Sequence, residues 1–147
     1  MRLEPLYRMR FRYPSEWGVD LEGKDGVESA WFFLAEGTCE GRVSGRMRGA
    51  NHPRRRVDRT FMPDFQGVIE TRDGATILFS TTGYGRAYPE GRRQIVATST
   101  HLSDHETYRW LNDVVAVGTG EVRYDPAVDS SELVLDVAEI IWEPIAD

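Results

Sequence analysis

The sequence predicts an all-β protein, a closed antiparallel β-barrel with one short helix. Several runs have the composition and alternation of β-strands, glycines interrupt many of them, and only one segment has helical character. Because strands do not alternate with helices, an α/β fold is disfavoured, and the frequent glycines favour a barrel over a sandwich. A chain of 147 residues has the length of one domain. We therefore expect a single β-barrel domain over residues 1–147.

The first 28 residues are predicted to be irregular, because prolines and glycines interrupt any long element. We expect residues 1–28 to form an N-terminal arm packed on the outside of the barrel. Residues 31–35 are continuously apolar and are predicted as a strand buried on both faces. Residues 38–47 follow as an alternating strand, in which Gly41 and Gly45 mark bends.

A β-hairpin is predicted where residues 65–71 pair with residues 75–82. Asp73-Gly74 separates the two runs, and this dipeptide suits the positive φ angles of a tight hairpin turn. Gly83-Tyr84-Gly85 closes the second strand. Residues 86–92 contain Pro89 and Gly91 and are predicted as a loop.

The helical segment is predicted over residues 103–112, after a strand at residues 94–102. The Ser103 hydroxyl and the Glu106 carboxylate have the spacing of a capping box, in which each side chain bonds a backbone amide of the other residue. Residues 113–117 and 132–142 complete the predicted strands, and the last has a strong apolar alternation.

Charge and composition restrict the partners. The formal net charge of −6 disfavours nucleic acid, since phosphate binding needs a positive field. Arg54 to Arg56 and Arg59 form a local basic cluster, expected to be a solvated or acid-paired loop; recognition of nucleic acid or protein through it is the third hypothesis. No run is apolar over the length of a membrane span, and we expect a cytoplasmic protein. A lone Cys39 excludes an intramolecular disulfide.

Several segments, taken together, resemble the domain of unknown function 3237 family. They are Glu36-Gly37-Thr38-Cys39-Glu40-Gly41-Arg42, Gly45, Gly49-Ala50, Asp64, Thr71-Arg72-Asp73-Gly74-Ala75, Glu106-Thr107, Trp110-Leu111-Asn112 and Val137-Ala138-Glu139-Ile140. The resemblance implies a lipocalin-like or calycin-like antiparallel β-barrel with no assigned activity. It also implies that the family usually carries the same residue types at Asp64, Glu106, Trp110, Asn112 and Glu139. The chain departs from the family pattern at Asn51-His52, Gly67 and His105.

His101 is the first candidate for acid–base chemistry. Ile95, Ala97, Ser99 and His101 share one face of their strand by two-residue alternation. If that face points into the barrel, its small residues leave space and His101 lies at the rim of a cavity, where it exchanges protons near neutral pH. The alternative is a strand-end histidine bonded to a loop carbonyl.

Two acids interrupt apolar strand faces. Glu139 follows Leu133, Leu135 and Val137, and Asp113 shares its face with Leu111, Val115 and Val117. Burial without a partner would raise the pKa of such a carboxyl group and keep an acid or a base poised at neutral pH. Glu139 is the better candidate, and the alternative is a structural ion pair with an arginine.

The remaining polar and aromatic candidates concern ligand contacts. Trp110, Tyr108 and Tyr84 are placed to stack on a flat ligand at a pocket mouth, although Trp110 is equally suited to plug the barrel end. His101, His105, Glu106 and His52 suggest a metal, but His101 precedes the predicted helix, so no metal site is expected. The residues assigned to ligand binding are Trp110, Tyr108, Asp64, His105, Glu106 and Asp113.

The preferred hypothesis is a cofactor-free enzyme that acts on a small apolar or aromatic carbonyl compound inside the barrel. His101 or Glu139 would serve as acid or base, and Asn112 or Tyr84 would polarise the carbonyl. The reaction would be an isomerisation, elimination, hydration or cyclisation. The alternative is a barrel that binds or carries such a ligand unchanged. An apolar outer strand face comprising Val134, Ala138, Ile140 and Trp142 is expected to be covered by an arm or by a second subunit, and we expect a homodimer.

Overall fold

The computed structural model describes residues 1–87 and 92–146 and shows, over those ranges, ten β-strands and one short 3₁₀-helix. The strands are β1 Arg2–Gly23, β2 Gly26–Gly41, β3 Gly45–Asn51, β4 Arg54–Arg55, β5 Phe61–Met62, β6 Asp64–Thr71, β7 Thr76–Arg86, β8 Arg93–Leu102, β9 Val115–Asp125 and β10 Ser130–Ile141. The helix spans Glu106–Asp113, between β8 and β9. The predicted all-β class with one short helix is therefore confirmed.

The strand pairings form a ring. β1 pairs with β2, and the pairings continue through β3, β6, β7, β8, β9 and β10 back to β1, all of them antiparallel. Eight strands therefore surround one interior. The two-residue strands β4 and β5 add a second bridge from β2 to β7 beyond the ends of β3 and β6.

The N-terminal segment was predicted wrongly as an external arm. Residues 2–23 form β1, which pairs with β10 on one side and β2 on the other. Tyr7, Met9 and Phe11 alternate inward and are at most 5% exposed, so the segment contributes to the core. Its prolines do not break the strand, because Pro5 and Pro14 both fall where the register shifts, the places at which a sheet tolerates a residue without an N–H.

Two predictions for the next strand also need correction. Residues 31–35 are not buried on both faces: Ala35 points inward, whereas Phe32 and Leu34 are 38% and 40% exposed. Residues 38–47 are not one strand, because a turn after Gly41 separates β2 from β3. Gly41 has a φ of 148°, and a Cβ there would lie 2.6 Å from the Leu6 carbonyl oxygen, so a larger residue would not fit this turn.

The hairpin across Asp73-Gly74 is confirmed. β6 and β7 pair from Glu70 opposite Thr76 to Asp64 opposite Thr82. Gly74 has a φ of 87° and donates its N–H to the Thr71 carbonyl at 3.1 Å. β7 continues through Tyr84 to Arg86. Residues 88–91, the centre of the predicted loop with Pro89 and Gly91, lie outside the described part of the chain.

The helix is shorter than predicted and has a different cap. It begins at Glu106, and the His105 Nδ1 accepts the N–H of Thr107 at 3.3 Å. The predicted capping box was wrong, because the Ser103 hydroxyl donates instead to the Thr76 carbonyl at 2.8 Å. The last two strands are also displaced: β9 is longer than residues 113–117, and Trp142 lies beyond the end of β10.

The interior has a packed end and an open end. At the end that the helix covers, here called the helix end, the side chains of Leu6, Val43, Met47, Ile69, Ile77 and Leu111 are at most 1% exposed. At the opposite end, here called the open end, aromatic side chains surround a cavity. The ring is therefore closed by packed apolar side chains at the helix end and contains a cavity at the open end.

Candidate functional site

The cavity at the open end is the strongest candidate for a functional site. It has a volume of about 240 Å³. Its walls are mostly apolar, and its aromatic side chains contact one another: Tyr13 stacks on Phe33 at 4.6 Å between ring centroids, and Phe11 meets Phe65 edge-on at 5.5 Å. The lining residues are Phe11, Tyr13, Glu16, Phe33, Asn51, Pro53, Phe61, Pro63, Phe65, Thr81, Gly85, Arg93, Ile95, Ala97, Val122, Ser131, Leu133 and Leu135.

Strand alternation places these side chains. In β1, the inward residues Tyr7 and Met9 lie in the packed end, and the next two inward residues, Phe11 and Tyr13, reach the cavity. In β8, Ile95 and Ala97 line the cavity, and the small Ala97 side chain leaves it open. The aromatic lining residues therefore come from β1, β2, β5 and β6, and the aliphatic and small ones come from β7 to β10.

A tyrosine and an asparagine form the polar pair of the cavity. The Asn51 amide nitrogen donates to the Tyr13 hydroxyl oxygen at 2.8 Å, and the Asn51 side-chain oxygen accepts the Asp64 N–H at 3.1 Å. Burial raises the pKa of Tyr13 to about 12. Tyr13 is therefore neutral at pH 7. Because its oxygen accepts from Asn51, its own proton is available to a ligand oxygen.

Arg93 is the cationic group of the lining. It opens β8 at the rim, and its guanidinium carbon lies 3.9 Å from the centre of the Phe61 ring. Burial lowers the pKa of Arg93, Tyr13 opposes that effect, and Arg55 adds to it as a neighbouring positive charge. Phe61 packs on Trp31, and the Arg55 guanidinium lies 5.7 Å from the centre of the Trp31 ring. The rim thus carries two arginines held by aromatic rings.

His101 points inward as predicted, but it lies in the packed end and not at the rim of the cavity. It is 6% exposed, and its Nε2 lies 2.8 Å from the Tyr7 hydroxyl. Burial lowers the pKa of His101 to about 4, so the ring is neutral at pH 7. Its Nδ1 is buried and has no hydrogen-bond partner within the described ranges. Ser99, between Ala97 and His101, bonds the Thr81 hydroxyl at 2.7 Å.

Glu139 forms an ion pair with an arginine, which was the alternative to its predicted role as an acid or a base. Its Oε2 accepts from Arg42 at 2.6 Å, and the Arg42 guanidinium lies 4.5 Å from the centre of the Trp110 ring. The three side chains form a cluster at the helix end. Trp110 therefore covers the closed end of the ring rather than the mouth of the cavity.

Asn112 and Tyr84, predicted to polarise a carbonyl, are occupied elsewhere. The Asn112 side chain accepts the Ser103 N–H at 2.8 Å and donates to the Ser103 carbonyl at 3.0 Å, which ties the end of the helix to the end of β8. Tyr84 lies on the outer face of β7, 42% exposed, with the Arg86 guanidinium over its ring.

The residues predicted for ligand binding are divided between the two ends. Tyr108 donates its hydroxyl to Asp73 at 2.9 Å, and His105 caps the helix. Hydrogen bonds from Thr71 and then from Tyr108 lower the pKa of Asp73. Glu106 and Asp113 are exposed at the helix end. Asp64 is exposed near the open end, where its backbone bonds Asn51.

None of the ten residues predicted for catalysis or ligand binding lines the cavity, although all ten lie in the described part of the chain. The sequence analysis placed Ile95 and Ala97 beside a cavity, but it missed Phe11 and Tyr13 because it treated the N-terminal segment as an arm. The signal was present as the alternation Tyr7, Met9, Phe11, Tyr13, which has the period of a half-buried strand.

The basic cluster is partly neutralised within its own turn. Arg56 donates to Asp58 from its Nε at 3.1 Å and from a second nitrogen. The hydrogen bonding from Arg56 is the main reason why the pKa of Asp58 is lowered. Arg55 donates to the Ser29 hydroxyl at 3.3 Å. The acid-paired interpretation therefore holds for Arg56.

The described residues offer neither a cluster of metal ligands nor a membrane-spanning helix. Within residues 1–87 and 92–146, no three His, Cys, Asp or Glu side chains are grouped closely enough to hold a metal ion. The same ranges contain no helix with the length and apolar character needed to cross a bilayer.

The chain belongs to the family described as "Protein of unknown function (DUF3237)", whose model matches residues 1–140. The family resemblance noted in the sequence is thereby confirmed. No curated protein matches the chain.

Solved structures share this fold. A β-barrel-like protein from Acinetobacter baumannii is 23% identical, with a TM-score of 0.77 and 94% of each chain covered. A conserved protein of unknown function from Rhodopseudomonas palustris is 19% identical, with a TM-score of 0.71, covering 96% of this chain and 99% of that one. An enzyme from Penicillium herquei is 22% identical, with a TM-score of 0.60 and coverages of 92% and 93%. At these identities the likeness shows a β-barrel-like fold.

Proposed function

We propose that the eight-stranded ring is a closed, lipocalin-like barrel that binds a small, largely apolar or aromatic molecule in its cavity. The supporting observation is the cavity of about 240 Å³ walled by Phe11, Phe33, Phe61 and Phe65. Ligand pockets typically have volumes of about 300–1,000 Å³ and apolar walls with a few polar groups. A cavity just below that range suits a molecule of one or two rings.

The polar groups of the cavity suit a ligand with an oxygen at one end. Tyr13 offers a proton held by a neutral hydroxyl, and Arg93 offers a charged donor at the rim. Asn51 orients Tyr13 from behind. Apolar walls with a few placed donors fix the orientation of a bound molecule.

Blocking the cavity tests this proposal. Ala97→Phe places a ring inside the cavity, and Thr98→Phe places the same ring on the outer face of the same strand. Acetophenone, 2-naphthol and a cyclic terpenoid ketone are titrated by calorimetry and by amide chemical-shift changes. We expect binding to the wild type and to Thr98→Phe, and none to Ala97→Phe. Equal binding by both variants would place the ligand elsewhere and refute the proposal.

Cofactor-free acid–base catalysis in the same cavity is the second candidate. The observation in its favour is that Tyr13 and Arg93 both line the cavity, where they would stabilise negative charge on an enolate oxygen by proton donation and charge. His101 and Glu139 stay predictions as acid or base. Neither contacts the cavity, so each would have to act through other groups.

Deuterium exchange separates an enzyme from a carrier. Acetophenone is incubated with the protein in D₂O, and exchange at its methyl group is followed by NMR without any added cofactor. An enzyme of the proposed type accelerates exchange in the wild type, and Tyr13→Phe slows it at least tenfold. If the protein binds acetophenone but exchange is no faster than in buffer, the protein is a carrier and not an enzyme of this type. Loss of exchange in His101→Gln but not in Tyr13→Phe would favour the predicted histidine.

A further inference from the structure

The environment of Arg93 narrows the class of ligand. We infer that the cavity selects an anionic ligand, an aromatic carboxylate whose ring lies among the phenylalanines and whose carboxylate lies against Arg93. This inference rests on the proposed function, since it concerns the same cavity.

The guanidinium of Arg93 has unused hydrogen-bonding capacity. Among the described residues, no side chain or carbonyl accepts a hydrogen bond from it, and no carboxylate lies within 4.0 Å. Its face is occupied by the Phe61 ring, which leaves the N–H groups at the edge of the guanidinium plane. Those groups match the two oxygens of a carboxylate.

The surroundings of Arg93 strengthen its preference for an anion. Arg55, which lies over the Trp31 ring, also has no carboxylate within 4.0 Å among residues 1–87 and 92–146. Glu16 is the only acidic residue of the described lining, and it is exposed. Within the lining, Arg93 is therefore balanced only by this solvated carboxylate, whereas Arg55, outside the lining, shares the Ser29 hydroxyl with Asp20. Acidic ligands meet a local positive field there.

Tyr13 supplies a second contact for the same group. Its hydroxyl is neutral, lines the cavity and accepts from Asn51, so it can donate to one carboxylate oxygen while Arg93 binds the other. Tyr13 and Arg93 both line this cavity. A neutral amide of the same shape keeps the ring contacts and loses the charge-assisted hydrogen bonds.

Matched probes test the inference. The wild type is titrated by calorimetry at pH 7 with 2-naphthoate and with 2-naphthamide, and the same pair is used with Arg93→Met and Arg93→Lys. The control is Arg86→Met, because Arg86 also lies over an aromatic ring but on the outer face. We expect at least a tenfold preference for naphthoate in the wild type and in Arg86→Met. Arg93→Met abolishes this preference, and Arg93→Lys retains part of it.

The outcomes distinguish this inference from the proposed function. If the wild type binds both probes with equal affinity and Ala97→Phe binds neither, the anion selectivity is refuted and the binding function stands. A naphthoate preference that survives Arg93→Met would also refute it, because the charge would then lie elsewhere. No binding of either probe, nor of the neutral compounds above, would contradict the binding function itself.

A separate observation concerns the outer face of the long β1–β2 hairpin. Beyond the ring, residues 15–23 of β1 pair only with residues 26–34 of β2. On one face of this ribbon, Trp17, Val19 and Leu21 are 58–72% exposed, and Phe32 and Leu34 lie beside them. We propose that a second copy of this chain covers this apolar face.

Area favours a second copy, and charge disfavours a membrane. The exposed apolar side chains present roughly 500 Å², so two copies bury about 1,000 Å², which reaches the lower limit for a specific interface. Glu22, Asp25 and Glu28 surround the hairpin tip and disfavour an anionic membrane. Glu16 and Asp20 lie along the free edge of β1 and oppose strand addition, which leaves packing face to face. The predicted face on β10 is less suited, because Val134 is 5% exposed.

Sedimentation velocity across a wide range of protein concentration tests the dimer. We expect a concentration-dependent dimer for the wild type, its loss in Val19→Glu, and its retention in Val96→Glu, a control on the outer face of β8. A wild type that stays monomeric, or a Val19→Glu variant that still dimerises, would overturn the proposal. Flotation of the wild type with phosphatidylserine vesicles, lost in Val19→Glu, would assign the face to a membrane instead.

Discussion

Stability against acid depends on His101, and replacing this residue with glutamine isolates its contribution. His101 is 6% exposed and bonds Tyr7 through its Nε2, and burial lowers its pKa from 6.5 to about 4. The folded state therefore resists protonation of the imidazole, whereas the unfolded chain does not. His101→Gln keeps a polar group near Tyr7 and removes the titration.

The magnitude follows from the two pKa values. A group whose pKa is lower in the folded state contributes stability that is present above the unfolded pKa and is lost as the pH falls. A tenfold difference in proton affinity is worth about 1.4 kcal/mol, so a change from 6.5 to about 4 corresponds to about 3 kcal/mol. About 2 kcal/mol of this is lost between pH 7 and pH 5, and the remainder as the pH approaches about 4.

Urea unfolding at a series of pH values measures the effect. Carboxylates contribute equally to the wild type and to His101→Gln, so the difference between the two curves reports His101 alone. We expect the free energy of unfolding of the wild type to fall by about 2 kcal/mol more than that of the variant between pH 7 and pH 5. Parallel curves would refute the reasoning. An NMR titration of the wild type, whose chain has three histidines, would refute it if the His101 ring titrated near 6.5.

Three further predictions concern packing and reactivity. Gly83→Ala should destabilise the protein by about 3 kcal/mol in urea unfolding, since its Cβ would lie 2.1 Å from the Val96 carbonyl oxygen. Gly23→Ala, with its nearest contact at 3.9 Å, should change the free energy of unfolding by less than about 0.5 kcal/mol, and equal effects would contradict this. The Cys39 thiol, 1% exposed and with a pKa raised by burial to about 12, should react with a thiol reagent only on unfolding; rapid reaction in the native state would contradict its burial. Asn112→Ala should cost about 1–3 kcal/mol in thermal unfolding, because it leaves two Ser103 backbone groups unpaired, and no loss would show that the clamp is dispensable.

Local patterns predicted the elements whose determinants are local. The Asp73-Gly74 hairpin formed as expected because its turn requires a positive φ at one position, which Gly74 occupies with a φ of 87°. β8 also formed close to its predicted bounds, with Ala97 and His101 on the inner face. Alternation therefore identified the correct face.

The N-terminal strand was not recognised, because its prolines were taken as stronger evidence than the alternation of its apolar residues. Pro5 and Pro14 were interpreted as breaks, but a proline is compatible with a strand wherever the pairing register shifts. Whether a register shift occurs at a given position depends on the partner strands, which are distant in sequence. The error moved Phe11 and Tyr13 out of the predicted interior, so that the predicted cavity lacked this part of its aromatic wall.

The sequence also did not show how far along β8 the cavity ends and the packed interior begins. Ala97 and His101 share a face, but four residues along a strand span about 13 Å, enough to pass from the cavity into the packed end. At the helix end, the interior is filled by Val43, from the turn after β2, and by Leu111, from the helix. No pattern within β8 reports how far they reach.

The pH dependence of any activity would separate the two candidate sets of catalytic groups. Because the pKa of His101 is about 4, this residue is unprotonated at pH 5 as well as at pH 7, so a mechanism with His101 as the base keeps its rate between these values. A mechanism in which Tyr13 donates a proton also keeps its rate there and loses it only as the pH approaches about 12. The acid limb near pH 4 therefore reports His101, provided that the protein remains folded there, which the unfolding curves establish independently. An acid limb that persists in His101→Gln would assign the proton transfer to another group.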